Sequence, residues 1–199
     1  MNKGGARVRN VDGSRLLRQV VTFVIVLVFT LILLTLLHLA SSGIILGREE
    51  QREQELMAQV MPNANVFSQV WFEDQRVDDV QAAFRGSALL GYCVTTTTQG
   101  FYGPVVAMTG VSADGEVTGV VIVSHGENPR LGGGIAGQDF LSGFVGGSGT
   151  LYIGMGHNGV VGVTGATQSS QAVVEGVNIA LSCVANLNTG GGDDIDAEV

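Results

Sequence analysis

Residues 104–124 read PVVAMTGVSADGEVTGVVIVS, and this stretch decides the predicted fold. Two valine-rich runs flank Ala113, Asp114 and Gly115. Runs of β-branched residues on either side of a short Gly-containing turn are typical of a β-hairpin. A threonine-rich run, YCVTTTTQG at 92–100, comes just before the hairpin and predicts a further strand. The centre of the chain therefore favours an antiparallel sheet.

A helix is predicted after these strands, because the apolar residues that follow Thr167 recur at helical spacing to about Leu187. Between sheet and helix, residues 139–163 are rich in Gly and predict short strands and loops. Strands followed by a helix within one domain predict the α+β fold class. Ahead of the strands, residues 73–79 predict a solvated turn, and five apolar residues predict a contribution to the core: Val66, Phe67, Val70, Trp71 and Phe72.

Charge is unevenly distributed along the chain. The first eighteen residues contain five basic residues and one acid, whereas the rest contains five arginines, no lysine and seventeen acids. An acidic domain without lysine lacks the cations that replace counterions on nucleic acid, so we expect no nucleic-acid partner. Cys93 and Cys183 are far apart and match no metal-ligand spacing. We expect two small buried side chains rather than a disulfide, and no metal site.

Residues 20–37 contain no charge and predict a membrane-spanning helix. A cleaved signal peptide is the alternative, but its apolar core is shorter, about 7–15 residues. The basic residues in front place the N-terminus in the cytoplasm and the remaining chain outside it. The predicted boundaries are a basic cytoplasmic arm at 1–18, a transmembrane helix at 19–42, a juxtamembrane helical stalk at 43–62, a folded domain at 63–187 and a disordered acidic tail at 188–199.

The sequence TGAT at 164–167 lies between a strand-like run and the predicted helix, which we expect to begin near Ser169. Unpaired amides at a helix N-terminus can bind phosphate without a lysine. The hydroxyl residues here can also simply cap the helix. A Ser or Thr nucleophile would need an oriented base, and only His125 and His157 are offered beyond the apolar segment. From the residues alone, capping, phosphate binding and nucleophilic chemistry all remain open.

Three motifs together resemble the FMN-binding domain family. TGATQSSQAV at 164–173 is similar to the family's flavinylation motif, Asp-x-x-[Ser/Thr]-Gly-Ala-[Thr/Ser], although Val161 stands at the position of the Asp. SHGENPRLGGGI at 124–135 is similar to a His-x-Glu-Thr-Pro-Gly-Leu-Gly segment that lies beside the flavin. Tyr102 and Gly103 match the Gly-Tyr-Gly-Gly entry to the family's hairpin. With one N-terminal span, this order resembles the G subunits of Rnf electron-transport complexes, whose paralogues are the C subunits of sodium-translocating NADH:quinone reductases.

The resemblance implies a membrane-anchored, extracytoplasmic FMN-binding domain with antiparallel strands and flanking helices. It implies a redox subunit of a complex that couples ferredoxin and NAD chemistry to Na⁺ or H⁺ movement, with no complete activity in this chain alone and no catalytic residue of its own. The implied partners are the other membrane subunits and a flavin transferase. Thr167 is the implied phosphoester acceptor. The residues implied around the phosphate are Thr164, Gly165, Ala166 and Ser170, and those implied along the ring are Glu127, Asn128, Leu131 and Gly132.

Three alternatives accompany this hypothesis. Val161 motivates a structural subunit of such a complex that carries no flavin. The C-type component of the quinone reductase is a second alternative, although it is usually longer. The third is a hydrolase that uses Thr167 or Ser170 as nucleophile.

Overall fold

A computed structural model describes residues 13–129 and 132–190 of the 199-residue chain. Predictions that fall on residues 1–12, 130–131 and 191–199 lie outside this range, among them most of the arm, most of the tail and Leu131. The described part forms two compact units, divided between Gln51 and Arg52. The second unit contains the sheet and the site.

The secondary structure alternates a few long elements with several very short ones. Three α-helices are present in the described ranges: α1 (Gly13–Val60), α2 (Gln138–Leu141) and α3 (Thr167–Gly190). Two 3₁₀ turns cover Gly133–Ala136 and Ser142–Phe144. The strands are β1 (Val66–Gln69), β2 (Val77–Arg85), β3 (Ala88–Gln99), β4 (Pro104–Ser112), β5 (Val117–His125), β6 (Tyr152–Ile153) and β7 (Gly159–Val160).

Strands β1 to β5 form one antiparallel sheet in sequence order, which confirms the predicted sheet. The predicted hairpin is β4 and β5, and Gly115 takes a φ of 83° in its turn. This φ favours glycine, which has no Cβ to clash. Strands β6 and β7 form a separate parallel pair. The mixed α/β architecture, with helices flanking an antiparallel sheet, agrees with the predicted fold class.

Helix α3 packs on one face of the sheet and supplies much of the main core. It begins two residues before the expected start near Ser169 and continues to Gly190. Its buried face includes Val173, Val177 and Val184, each 0% exposed. Gly176 lets the helix approach β3, because a Cβ there would lie 2.8 Å from Thr96 Oγ1. The apolar period seen in the sequence is therefore the face that packs on the sheet.

The opposite face of the sheet is covered by the last turns of α1. Met57, Val60 and Met61 form a second buried cluster with Ala83, Cys93 and Met108. The hydroxyl of Thr118 donates to the Val60 carbonyl (2.7 Å), and the Arg52 guanidinium donates to the Val123 carbonyl (3.2 Å). The end of α1 is thus part of the folded domain.

Two glycines allow this helix end to approach the sheet backbone. A Cβ at Gly110 would lie 2.5 Å from both the Val60 carbonyl oxygen and Thr118 Oγ1. A Cβ at Gly119 would lie 3.0 Å from Val60 Cα. Any side chain at Gly110 must therefore displace backbone or a bonded hydroxyl, both of which are held in place.

In the first unit, the apolar side chains described between Val20 and Leu36 are 47% to 73% exposed, on all sides of α1. The hydroxyls of Thr22, Thr30 and Thr35 each donate to the carbonyl four residues earlier, at 2.8 Å. Counting only residues that the structure describes, none of the helices has an apolar stretch long enough to cross a membrane.

Three predictions about the first strands are wrong. Trp71 is 89% exposed and Val66 is 50% exposed, so neither is in the core. β1 is an edge strand and Trp71 lies in the connection that follows it, where only one side is covered. Residues 77–79, predicted as part of a turn, begin β2. The prediction for the cysteines is confirmed: both are free and buried, and burial raises the pKa of each thiol to about 12.

We expect Gly110→Ala to lower the free energy of unfolding by about 1–3 kcal/mol, because the added methyl forces the end of α1 away from the sheet. Urea unfolding followed by circular dichroism measures the change. Gly133→Ala is the matched control, since among the described residues a Cβ there would meet the Asn128 carbonyl oxygen alone, at 3.9 Å. Equal stability of the two variants would contradict the close approach.

Candidate functional site

The sequence TGAT forms a tight turn that leads directly into α3. Thr164 and Gly165 are exposed, and Gly165 has a φ of 79°. The Ala166 amide donates to the Val163 carbonyl (3.0 Å), and Ala166 is buried. Thr167 is the first residue of the helix and is exposed. Its hydroxyl is therefore accessible at a helix N-terminus.

Buried side chains fix the position of this turn. The Val163 amide donates to Ser170 Oγ at 3.0 Å, and Ser170 is 0% exposed. The Thr98 hydroxyl donates to the Ala172 carbonyl at 2.9 Å. Since Ser170 holds the segment before the turn and Thr98 holds the first helical turns to β3, the start of α3 is tied to the sheet. Ser170 thus supports the turn by accepting the hydrogen bond of the Val163 amide.

The loop after β5 lies at the same end of the domain. The carbonyl of Asn128 accepts hydrogen bonds from the Gly132 amide (2.9 Å) and the Gly133 amide (3.1 Å). A Cβ at Gly134 would lie 2.8 Å from Val163 Cγ1, so this loop contacts the residue just before the TGAT turn. The two motifs, which are some 30 residues apart in sequence, therefore meet in the fold.

Glu127 is buried and bonded to backbone, so its side chain does not line an open site. It is 5% exposed, and its Oε1 accepts hydrogen bonds from the amides of Phe101 (2.6 Å) and Tyr102 (3.3 Å). These two residues form the tip between β3 and β4. The tip, the loop after β5 and the start of α3 thus form one cluster, which contains every predicted site residue within the described ranges.

The electrostatic environment suits an anion. The first turn of α3 contains no acidic residue, and its leading amides have no acceptor inside the helix. The positive end of the helix dipole lies at the same position. Val161, at the motif's Asp position, is 74% exposed and adds no charge. A phosphate can therefore be held here by backbone amides.

His125 adds a polar atom that sequence reasoning did not assign to the site. It pairs with Val105, which in turn pairs with Thr98, so the three side chains share the face that carries α3. His125 Nδ1 is buried and has no hydrogen-bond partner within the described residues. A buried, unpaired nitrogen is rare in folded proteins, and it lies two residues before Glu127.

Part of this domain is similar to a known family. Residues 100–182 match the model of the FMN-binding domain. The match begins at the β3–β4 tip and ends within α3, so it includes all three elements that meet at the site.

Characterised relatives extend the similarity over most of the chain. The chain is 29% identical to the G subunit of the Na⁺-translocating ferredoxin:NAD⁺ oxidoreductase complex of Acetobacterium woodii, over 78% of this chain and 84% of the relative. It is 28% identical to the G subunit of an ion-translocating oxidoreductase complex of Methanosarcina acetivorans, over 87% and 97%. It is 26% identical to the G subunit of the proton-translocating complex of Clostridium ljungdahlii, over 80% and 86%.

Among solved structures, the chain is similar to NqrC of Shewanella oneidensis, with 19% identity and a TM-score of 0.49 over 66% of this chain and 70% of that chain. It is also similar to the corresponding component of the Na⁺-translocating NADH-quinone reductase of Parabacteroides distasonis, with 23% identity and a TM-score of 0.48 over 57% and 63%.

The residues at the site fit FMN. The exposed Thr167 hydroxyl and the unpaired helix amides suit its phosphate. Gly133 in the loop after β5 leaves its backbone open, since a Cβ there would meet no described atom closer than 3.9 Å, and the His125 nitrogen without a described partner offers a polar contact. Sequence reasoning found these segments by their motifs. It missed Thr98, Val163 and His125, whose roles depend on strand register and helix placement.

We expect Ser170→Ala to lower the free energy of unfolding by about 1–3 kcal/mol, because the Val163 amide loses its acceptor. Ser182→Ala is the matched control. Its hydroxyl is exposed and donates only to the Asn178 carbonyl of its own helix, so its loss should change stability by less than about 0.5 kcal/mol. Urea unfolding of both variants tests this, and an equal effect would remove the supporting role of Ser170.

Proposed function

We propose that this protein is the G-type electron-transfer subunit of an ion-translocating oxidoreductase complex, with FMN joined to Thr167 by a phosphoester bond. The observation that carries the proposal is the position of Thr167. It is exposed at the first residue of a 24-residue helix, in a domain of the FMN-binding family, beside two further segments that resemble that family. The names of the characterised relatives support the assignment to a complex.

FMN accepts one or two electrons, so it can connect two-electron and one-electron carriers. The chain's own contribution is to bind and orient. The amides that begin α3 hold the phosphate, with Thr164, Gly165 and Ala166 forming the turn around it. Ser170 fixes the turn through Val163. The family's motif assigns Asn128, Leu131 and Gly132 to contact with the ring, and Gly133 beside them leaves its backbone open.

Covalent attachment suits this environment. The chain beyond residue 40 is acidic, with seventeen acids and five arginines, and would repel an anionic phosphate at long range. A phosphoester bond removes the need for tight reversible binding. The implied partners are a flavin transferase, which makes the bond, and other redox subunits, which exchange electrons with the flavin.

The first test is the intact mass of the protein after co-expression with a flavin transferase. We expect the wild-type chain to gain one FMN less one water, and Thr167→Val to gain nothing, because only Thr167 offers the acceptor oxygen. Thr150→Val, at an exposed threonine outside the motif, is the matched control and should still be modified. A wild-type chain without added mass would instead favour the structural subunit that carries no flavin.

Val161→Asp sharpens this test. Because Val161 is 74% exposed, a carboxylate is tolerated there without a burial penalty. Restoring the family's acidic residue should raise the modified fraction wherever the wild-type fraction is incomplete.

We further propose that residues 19–42 anchor the protein in the cytoplasmic membrane, with the N-terminus in the cytoplasm and the FMN-binding domain outside. Support comes from the apolar side chains on all sides of α1 between Val20 and Leu36. A helix that is apolar all round needs an apolar environment. Its three threonine hydroxyls donate to carbonyls within the helix, which removes the cost of burying them in lipid.

Protease added to spheroplasts tests the orientation. We expect digestion of the domain that follows α1 while the cells stay intact, because the domain faces outward. A cytoplasmic marker protein serves as the control and should remain whole. Protection of the domain until lysis would contradict the proposed topology.

A further inference from the structure

Glu127 is the single buried charged side chain among the residues that the structure describes, at 5% exposure. A carboxylate removed from water costs several kcal/mol unless hydrogen bonds replace its hydration. Its neighbours must therefore supply donors, and the fold must gain something from keeping the group inside.

The donors are two successive backbone amides. Oε1 accepts from Phe101 N at 2.6 Å and from Tyr102 N at 3.3 Å. Both belong to the tip between β3 and β4, whereas Glu127 follows β5. Hydrogen bonds to a charged acceptor are stronger than neutral ones. The carboxylate therefore adds side-chain bonds between two segments that the backbone joins through the Gly126 amide and the Pro104 carbonyl, 2.8 Å apart.

The pocket around the carboxylate is built from glycine. A Cβ at Gly100 would overlap Oε1, and a Cβ at Gly132 would lie 2.7 Å from Oε2 and from the Cβ of Glu127. Gly103 and Gly126 also approach closely, since a Cβ on Gly126 would lie 2.9 Å from the Cα of Gly103. The tip and the loop after β5 are fitted to each other around this side chain.

The tip carries an exposed aromatic pair. The rings of Phe101 and Tyr102 are 58% and 55% exposed and meet edge to face, with centroids 4.7 Å apart. Two adjacent exposed rings offer an apolar surface that a planar ligand can contact. Their backbone is fixed by Glu127 and by the Gly100 amide, which donates to the Gly103 carbonyl at 2.9 Å. The pair is thus held in place while its rings remain free.

The pair lies at the end of the domain where α3 begins. Thr98 is bonded to Ala172 in the first turns of α3, and Phe101 and Tyr102 follow Thr98 by three and four residues along the same chain direction. β3 approaches α3 at Gly176 by way of Thr96, so the strand runs toward the helix N-terminus. Continuing in that direction leads to the tip, beyond the first turn of α3.

We propose that Glu127 is a positioning residue: its buried carboxylate fixes the β3–β4 tip so that Phe101 and Tyr102 cover the flavin from solvent. This inference rests on the proposed attachment of FMN to Thr167. Under this proposal Glu127 bonds to the backbone of the tip and does not touch the flavin. The rings of Phe101 and Tyr102 contact the flavin instead.

The first arm of the test uses the full chain without the transferase, so that no flavin is attached. Hydrogen exchange is measured at the amides of Phe101 and Tyr102. In Glu127→Gln we expect these amides to exchange about tenfold faster or more, because a charged acceptor is lost. Glu116→Gln, an exposed carboxylate in the β4–β5 turn, is the control and should leave both rates unchanged. Unchanged exchange in Glu127→Gln would overturn the positioning role.

The second arm uses the flavinylated protein and acrylamide, a neutral quencher of flavin fluorescence. Glu127→Gln should raise the Stern–Volmer constant, since the aromatic cover becomes mobile. The double variant Phe101→Ala/Tyr102→Ala should raise it too while retaining the fold, because both side chains are exposed. A constant equal to wild type in the double variant would overturn the covering role. If the wild-type chain carries no flavin, both the proposed function and the covering role of Phe101 and Tyr102 are wrong. The hydrogen-exchange measurement would still decide whether Glu127 fixes the tip.

Discussion

The packing of α3 on the five-stranded sheet is the constraint on which the rest of this domain depends. The helix buries a continuous apolar face, and each fully buried valine contributes about 1.5–3 kcal/mol. Gly176 and Thr98 fix how close the helix lies and where along β3 it begins. Because the helix cannot shift along the strand without losing these contacts, its first residue has a defined position. That residue is Thr167, so the core determines the position of the proposed attachment point.

This arrangement explains how a domain without lysine can hold a phosphate. Positive charge is supplied by geometry, through the leading amides and the dipole of α3, and the first turn of the helix carries no acidic side chain. Amides supply a weaker long-range field than lysines, which leaves the net charge of the surface acidic. Attraction of an anionic ligand at a distance is consequently poor, which is the physical reason for proposing a covalent bond. The acidic surface weakens reversible binding of the phosphate, and the proposed ester makes such binding unnecessary.

The sequence predicts the regular parts of this fold well, because burial imposes a period on them. The valines of β4 and β5 and the apolar positions of α3 follow the strand and helix periods closely. Burial near the edge of the sheet is harder to predict from sequence. Trp71 is large and aromatic, yet it lies in the exposed connection after an edge strand. No local pattern distinguishes that position from the core. At the site, motifs locate the segments, but the burial of Glu127 and the pairing of Ser170 with Val163 arise only when distant segments meet.

The end of α1 changes where the folded domain should be considered to start. Met57, Val60 and Met61 cover Cys93 and Met108 on the sheet, and Gly110 receives the helix backbone. A shortened version cut at the conspicuous Pro62 would uncover this apolar face and leave the Thr118 hydroxyl without its acceptor. One cut just before Arg52 would keep both. Residues 52–62, which the sequence predicts as part of a stalk, therefore belong at the start of any isolated version of the folded domain.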